Sequence, residues 1–279
     1  MIPSRIPYLV FPLIAGIFLL TRNPHVSFGD SLGFLVFACE GFDLDTNATS
    51  HFLYNNLNHL ALRIFSGSDP IAVLTLFSVC CALAALVQVF RAALVLTGNP
   101  AAAALSVVSL GLGFTFWRQA VIIEVYALNS FWVATILLHM IRSWQEDARD
   151  QALPVSLFLG LALLTHIQNL LLLPAYGLFL YFRPRPRRSH TRAGPVLLLA
   201  ISAVLVILPL TLHTHGLRAV FFEDQYQEAV LGIDWRQLPR GILRSLAYLI
   251  YNYHLFLPFL VHGALMAWRE ALARGRATV

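Results

Sequence analysis

Long runs of apolar residues alternate with short polar connections along this chain. Most runs have about 15 to 25 residues, enough for a helix to cross about 30 Å of hydrocarbon. In hydrocarbon, backbone groups must find partners within their own segment, so these runs predict helices. The predicted spans are residues 6–20, 70–97, 101–116, 121–141, 154–166, 167–182, 194–212 and 241–267. We therefore predict an all-α, polytopic transmembrane helical bundle of about eight spans, with residues 1–279 forming one membrane domain.

Two polar segments, residues 21–69 and 213–240, lie outside the predicted spans. Within the first, residues 43–50 have a loop-like composition, and residues 51–65 show helical periodicity. One face of that helix is apolar and the other positions are polar. The apolar face holds Leu53, Leu57, Leu60, Ala61 and Ile64, and the polar positions are Asn55, Asn58 and His59. This pattern predicts an amphipathic helix on the membrane surface or packed on the bundle.

Composition agrees with a membrane protein and argues against a soluble one. The chain is 58% hydrophobic and 12% charged, whereas soluble domains are nearer a quarter charged. The net charge of +5 does not indicate nucleic-acid binding, because the densest basic run, residues 183–192, lies between two spans and is typical of a cytoplasmic loop. Cys39, Cys80 and Cys81 form neither a CxxC motif nor a zinc-binding spacing.

The arginines predict the orientation of the chain. With a cytoplasmic N-terminus and eight spans, twelve of the 19 arginines lie inside and seven outside, as the positive-inside rule requires. Segments 21–69 and 213–240 then share the non-cytoplasmic face. Ten of the 14 acidic residues lie on that face, among them Asp30, Glu40, Asp43, Asp45, Glu124, Glu223, Asp224 and Glu228. The sequence therefore predicts a site there.

The stretch 114–131 concentrates polar residues between two apolar runs. Arg118 and Glu124 lie in it, with Trp117 and Tyr126 close by. An ionisable group at membrane depth is costly, so it usually pairs, faces a cavity or takes part in function. An interfacial turn is the alternative, in which the aromatic residues anchor the turn and Arg118 pairs with Glu124.

Three motifs together resemble those of GT-C membrane glycosyltransferases. Gly29-Asp30-Ser31 follows the first span, residues 116–129 read Phe-Trp-x-Gln-Ala-Val-x-x-Glu-Val-Tyr-x-Leu-Asn, and residues 161–166 end in Thr165-His166. The resemblance is strongest to bacterial relatives of the animal IPT/TIG-domain protein O-mannosyltransferase. The chain departs from that family after Ser31, where Gly-Glu would continue the motif, and at residues 46–54, which replace a His-Pro-x-Gly-Tyr-Pro segment.

The resemblance implies transfer of a sugar, such as mannose, from a polyprenyl-phosphate donor to an acceptor hydroxyl on a protein or glycan. It places an integral, multi-pass protein in a bacterial inner membrane with its site on the periplasmic face. Such a displacement needs a base near the acceptor oxygen and positive charge near the phosphate. Asp30 is the candidate base, with an N-cap of the following helix as the alternative. Glu124 is the second catalytic candidate, to hold the acceptor, a metal or a neighbouring cation.

Six further residues are candidates for substrate binding. They are His166, Arg118, Tyr126, Asn129, Arg240 and Arg244. His166 matches the turn histidine of the family, and the arginines suit a phosphate or serve as interfacial anchors. A structural role remains open for His166, Tyr126 and Asn129. A divalent metal is also left open, because the pair His213 and His215 lacks a third ligand at a supporting spacing.

Two other classes of function compete with the enzyme. A non-catalytic GT-C-like membrane scaffold is favoured by the replaced motif in the first loop. A transporter is disfavoured, because no pair of Gly- or Pro-broken spans occupies corresponding positions in two halves of the chain.

Overall fold

The structure, a computed structural model, describes residues 6–42, 51–144, 151–182, 193–212 and 238–253, together with residues 261, 262 and 265. Every regular element in this part of the chain is helical, which confirms the all-α prediction there. The helices are α1 (Ile6–Leu20), α2 (Ser31–Glu40), α3 (Phe52–Ile64), α4 (Pro70–Thr97), α5 (Pro100–Gly111), α6 (Phe114–Ala120), α7 (Tyr126–Arg142), α8 (Ala152–Thr165), a 3₁₀ helix (Ile167–Leu172), α9 (Leu173–Phe182), α10 (Ala193–Leu212) and α11 (Leu238–Tyr253).

The starts of α4 and α5 follow directly from local sequence. Asp69 and Asn99 each accept hydrogen bonds from backbone N–H groups of the first helical turn. Pro70 and Pro100 then occupy the first helical position, where a missing N–H costs nothing. Gly98 ends α4 in the left-handed conformation, with φ 63°, which glycine adopts without steric cost. These signals fix a sharp turn between two apolar helices.

Helix α4 lies at the centre of the bundle. It packs most extensively against α7 and α5, and it also touches α1, α2, α3 and α6. The main core around it includes Phe18, Leu74, Val107 and Ile123. A second core joins α7 to α8, α9 and α10 around Val155, Leu159, Tyr176 and Phe179. Helix α7 therefore connects the two halves of the described fold.

Membrane-spanning character is clearest in α4. Among the described residues it is the one unbroken helix both long and apolar enough to cross a membrane. Helices α5 and α6 would together give a second crossing if they formed one span, although they are bent by 72°. The count of about eight spans therefore stays a prediction from sequence.

The spans predicted at 101–116 and 121–141 have the wrong boundaries. Helix α5 ends at Gly111, α6 turns away after it, and residues 121–125 are not helical. Bulky β-branched side chains at Val121, Ile122, Ile123 and Val125 lower helix propensity here. Tertiary hydrogen bonds then hold the segment in an irregular path, as described below.

Other predicted boundaries agree more closely with the structure. Residues 6–20, 70–97 and 194–212 coincide with α1, α4 and α10 to within one residue. The separation of 154–166 from 167–182 is also confirmed, because α8 ends at Thr165 and a 3₁₀ helix leads into α9. Helix α11 begins at Leu238, three residues before the predicted start of the last span.

The amphipathic helix predicted at 51–65 is α3, and it packs on the bundle through its polar side. Tyr54, Asn55 and Asn58 are buried, whereas Leu60 and Ile64 on the apolar side are exposed. The buried side contacts α2, α4 and α8. Of the predicted apolar face, Leu57 packs against the main core, and Leu60 and Ile64 are left on the outside.

Candidate functional site

Residues 121–125 cross the main core without forming a helix. All five side chains are buried, from Val121 to Val125. Two long-range hydrogen bonds hold the segment: the N–H of Asn23 donates to Val121 O at 2.9 Å, and Ser31 Oγ donates to Ile123 O at 2.7 Å. The loop after α1 and the start of α2 are thereby fixed against the middle motif of the sequence.

Glu124 is the ionisable member of that buried segment. Its side chain is 8% exposed, and its Oε2 has no hydrogen-bond partner. Burial and, to a smaller extent, the charge of Asp30 raise the pKa of Glu124 from its ordinary 4.5 to about 7, against opposing effects from the Val125 N–H and Arg118. A carboxyl with this pKa can hold or release a proton near neutral pH.

The two structural alternatives for the acidic residues do not fit the contacts. Asp30 immediately precedes α2, but its exposed side chain makes no N-cap hydrogen bond, so the N-cap interpretation is wrong. Arg118 is exposed, and within the described part of the chain it forms no ion pair with Glu124. Its influence on Glu124 is a longer-range attraction. Neither acid therefore makes the cap or the ion pair that would explain it structurally.

His51 lies in the same region, and the sequence analysis assigned it no role. Its ring centroid lies 4.7 Å from that of His166, and its Nδ1 lies 3.1 Å from Thr165 O. Its backbone is left-handed, with φ 52° and ψ 48°, an uncommon conformation for a residue other than glycine. Such strain persists only where the surrounding contacts impose it. The available signal was its place in residues 46–54, which replace the histidine-containing segment of the resembling family.

Burial favours the neutral form of both imidazoles. Burial lowers the pKa of His51, although Thr165 O and the charge of Asp30 oppose this effect. Burial, together with neighbouring His51, lowers the pKa of His166 to about 4. His166 Nδ1 accepts the Gln168 N–H at 3.2 Å, so the neutral ring carries its proton on Nε2. The site therefore contains two imidazoles whose neutral form is favoured by burial, together with the carboxyls of Asp30 and Glu124.

Tyr126 and Asn129, at the start of α7, join the same neighbourhood. The Tyr126 ring lies 5.7 Å from the His166 ring. Asn129 Oδ1 accepts a hydrogen bond from Asn169 Nδ2 at 2.6 Å, and the same Nδ2 group donates to His166 O at 3.0 Å. Trp132 Nε1 also donates to Thr165 Oγ1 at 2.9 Å. Asn129 therefore fixes the turn that carries His166.

A buried polar cluster lies behind Glu124. Tyr54 and Asn58 are fully buried, and the Tyr54 hydroxyl faces Asn58 and Ser78 without a well-formed hydrogen bond. Burial raises the pKa of Tyr54 well above its ordinary value, and the Glu124 carboxylate adds to this effect. Burial therefore favours the protonated form of the Tyr54 hydroxyl, which lies within the electrostatic range of Glu124.

The remaining predicted candidates lie elsewhere or outside the described residues. Arg240 and Arg244 are exposed on α11, and no described contact brings them to Asp30, Glu124 or His166. The described residues contain no group of three or more His, Cys, Asp or Glu side chains placed to hold a metal ion. His213 and His215 lie outside the described part of the chain.

The arrangement combines the three sequence motifs in one place. Asp30, Glu124 and His166 belong to motifs 94 and 42 residues apart. The charge of Asp30 acts on both Glu124 and His51, and the His51 ring contacts the His166 ring. We call Asp30, His51, Glu124 and His166 the acid–histidine group. Its chemistry suits proton transfer to or from a hydroxyl bound beside it.

Comparison with known proteins gives one family. No curated protein matches the chain, and no solved structure matches it. The profile of the family described as "Protein O-mannosyl-transferase TMEM260 N-terminal domain" matches residues 44–190, just over half of the chain. The match includes His51, Glu124 and His166 and begins after Asp30. The chain therefore belongs to the family of the protein O-mannosyl-transferase TMEM260 N-terminal domain.

Proposed function

We propose that this protein is a glycosyltransferase that moves a sugar, such as mannose, from a polyprenyl-phosphate donor to a hydroxyl group of an acceptor protein. Membership of the protein O-mannosyl-transferase family supports this class of reaction. The observation that carries the site is Glu124, a buried carboxyl with an unpartnered oxygen that senses the charge of Asp30. Ion pairing and helix capping, the structural uses of such acids, are not seen at either residue.

In the proposed reaction the acceptor oxygen attacks the anomeric carbon of the sugar. A new carbon–oxygen bond forms, and the bond to the phosphate oxygen breaks with its electron pair leaving on the lipid phosphate. The acceptor proton passes to the carboxylate of Asp30, which is exposed and accessible to substrate. Glu124 orients the acceptor hydroxyl through its unpartnered oxygen. An arginine, Arg118 or one of the pair on α11, balances the charge of the leaving phosphate.

We also propose that the chain is a multi-pass protein of a bacterial inner membrane with its site on the periplasmic face. The arginine distribution supports this orientation, and the exposed apolar residues Leu60 and Ile64 suit a face of α3 turned to lipid. The apolar helix α4 supports at least one crossing. In this orientation the lipid-linked donor, held in the bilayer, would reach the site at the periplasmic boundary of the membrane.

The test is transfer of radiolabelled mannose from a polyprenyl-phosphate donor to an acceptor protein by the full chain in reconstituted membranes. We expect Asp30→Asn to lower the rate by about 100-fold or more, because an amide cannot take the proton. Asp69→Asn is the matched control, since asparagine also caps α4. We expect that control to retain wild-type activity.

Glu124 is tested in the same assay against Arg118. We expect Glu124→Gln to be more harmful than Arg118→Ala, because the acid serves the reaction rather than an ion pair. Wild-type turnover in Glu124→Gln would remove Glu124 from the mechanism, and unchanged turnover in Asp30→Asn would remove Asp30. Absence of transfer by the wild-type chain with every polyprenyl-phosphate sugar would instead favour a non-catalytic scaffold.

A further inference from the structure

A second feature of the fold is a cavity of about 600 Å³ between α5, α6, α7 and α11. Its size lies within the range of roughly 300–1,000 Å³ typical of small-molecule sites. Leu110, Phe116 and Leu249 supply apolar walls. Its polar lining consists of Thr115, Gln119, Tyr126, Ser130, Tyr248 and Asn252. The cavity therefore combines apolar and aromatic walls with a few hydrogen-bonding groups.

The side of the cavity formed by α11 is fixed by its own hydrogen bonds. Asn252 Oδ1 accepts the N–H of Thr115 at 2.8 Å, and Asn252 Nδ2 donates to Tyr248 O at 2.8 Å. The Tyr248 hydroxyl lies 2.5 Å from Thr115 Oγ1. The Tyr251 ring also packs against Phe114 at 5.1 Å. These contacts hold α11 against α6, so the cavity is preorganised.

Gln119 is the exception among the polar lining groups. Its Oε1 is buried and has no hydrogen-bond partner among the described residues. An unsatisfied buried acceptor costs on the order of 1–3 kcal/mol, so its retention beside a cavity calls for an explanation. A hydroxyl donor bound in the cavity would satisfy it.

The cavity adjoins the acid–histidine group through Tyr126. This residue lines the cavity, and its ring also contacts the ring of His166. Gln119 and Glu124 belong to the same short stretch, at the end of α6 and in the buried segment after it. A ligand in the cavity would therefore be one side chain, Tyr126, away from His166.

We infer that this cavity binds the hexose ring of the donor, with Gln119 accepting a hydrogen bond from a sugar hydroxyl. The C–H faces of a pyranose suit the aromatic rings of Phe116, Tyr126 and Tyr248, and its hydroxyls supply the donor that Gln119 lacks. A prenyl chain would fill the apolar space and leave the Gln119 oxygen unsatisfied. This inference rests on the proposed sugar transfer and assigns the sugar-binding residue within it.

The experiment measures equilibrium binding of radiolabelled mannose 1-phosphate to the purified full chain in detergent, without acceptor. We expect Gln119→Leu, which keeps the size and removes the acceptor, to weaken binding by about 10-fold or more, equivalent to about 1.4 kcal/mol. The matched control is Gln88→Leu on α4, where the glutamine accepts only a long hydrogen bond from Arg91 at 3.4 Å. That control should bind as the wild type does.

A second variant keeps the inference testable if Gln119→Leu does not fold. Ser130→Leu places an apolar side chain in the same cavity and leaves Gln119 intact, and it should also weaken mannose 1-phosphate binding. Wild-type affinity in the folded variants would overturn the inference. Binding of prenyl phosphate that Ser130→Leu abolishes, with no binding of mannose 1-phosphate, would assign the cavity to the lipid and overturn it too.

Binding and transfer separate the two proposals. Gln119-dependent binding without transfer under any condition would leave the sugar site standing and defeat the proposed enzyme. Transfer that depends on Asp30, with mannose 1-phosphate binding indifferent to Gln119, would defeat the sugar site alone.

Discussion

Individual residues of the acid–histidine group respond to pH in opposite directions. Glu124 has a pKa raised to about 7, and the pKa of His166 is lowered to about 4. The raised carboxyl pKa stabilises the fold below about pH 4.5, and this contribution is lost as pH rises through 7. The lowered histidine pKa stabilises the fold above about 6.5, and this contribution is lost as pH falls towards 4. Between about pH 4.5 and 6.5, the stability lost at Glu124 as pH rises is partly offset by the stability gained at His166.

Replacing Glu124 by glutamine should therefore stabilise the protein in a pH-dependent way. Glutamine stays neutral, so the variant avoids the cost of a buried carboxylate near Asp30, roughly 3 kcal/mol at most above pH 7. We expect its unfolding temperature in detergent to exceed that of wild type at pH 8. The two should converge near pH 4.5, where the wild-type carboxyl is protonated in the folded state.

The control for this prediction is Glu40→Gln, at the exposed end of α2. It should not change the difference between pH 8 and pH 4.5. A stabilisation by Glu124→Gln of the same size at both pH values would show that packing, rather than the burial of charge, sets the effect.

At the scale of elements, the unusual feature is the non-helical segment 121–125 between α6 and α7. Its five buried side chains fill the core, and its backbone groups depend on partners far away in sequence. Ser31 at the start of α2 is one such partner, and Asn23 is another. The position of Glu124 is therefore set by the loop between α1 and α2 as much as by its own motif.

Ser31→Ala tests this dependence. The substitution leaves the Ile123 carbonyl buried without its hydrogen-bond donor, which should destabilise the fold by about 1–3 kcal/mol. We expect it also to lower the rate of sugar transfer, because Glu124 adjoins Ile123. Chemical unfolding in detergent and the transfer assay measure the two effects.

The matched control is Ser106→Ala in α5. Its hydroxyl bonds only to Ala102 O one turn earlier, at 3.0 Å, where the helix already satisfies that carbonyl. It should change stability by less than about 0.5 kcal/mol. Equal effects of the two substitutions would show that the long-range bond to Ile123 contributes nothing specific.

At the scale of the whole molecule, close approaches of helices determine how the second core is packed. Gly160 in α8 lies against α10, where a Cβ would meet the side chain of Ile201 at 2.9 Å. Gly194 is similarly close to Ser156 and the backbone of Ala152. Helices α8 and α10 can pack tightly because neither position carries a side chain.

Gly160→Ala should separate α8 from α10 and destabilise the protein by about 1–3 kcal/mol. The contrasting substitution is Gly177→Ala in α9, where a Cβ meets nothing within 4 Å. It should stabilise the helix by about 0.5–1 kcal/mol, because alanine loses less backbone entropy on folding. Thermal unfolding of both variants in detergent measures this opposite response. A gain in stability from both would contradict the tight contact between α8 and α10.

The sequence by itself determined the helical class, the boundaries of α1, α4 and α10, and the family. These depend on local information: runs of apolar residues, the capping residues Asp69 and Asn99, and a motif contiguous in the chain. The same information named Asp30, Glu124 and His166 as candidates. Their proposed roles stay predictions until transfer is measured.

Only the tertiary structure decided which of these residues meet and what surrounds them. His51 has a left-handed backbone, and its ring contacts that of His166, 115 residues later in the sequence. No local sequence pattern encodes this contact. The irregular path of 121–125 also required partners from another part of the chain, because its apolar residues alone fit a continuous helix. The polar side of α3 faces the bundle, and periodicity did not predict this. The burial of polar groups depends on the neighbouring helices, which a pattern within one helix cannot reveal.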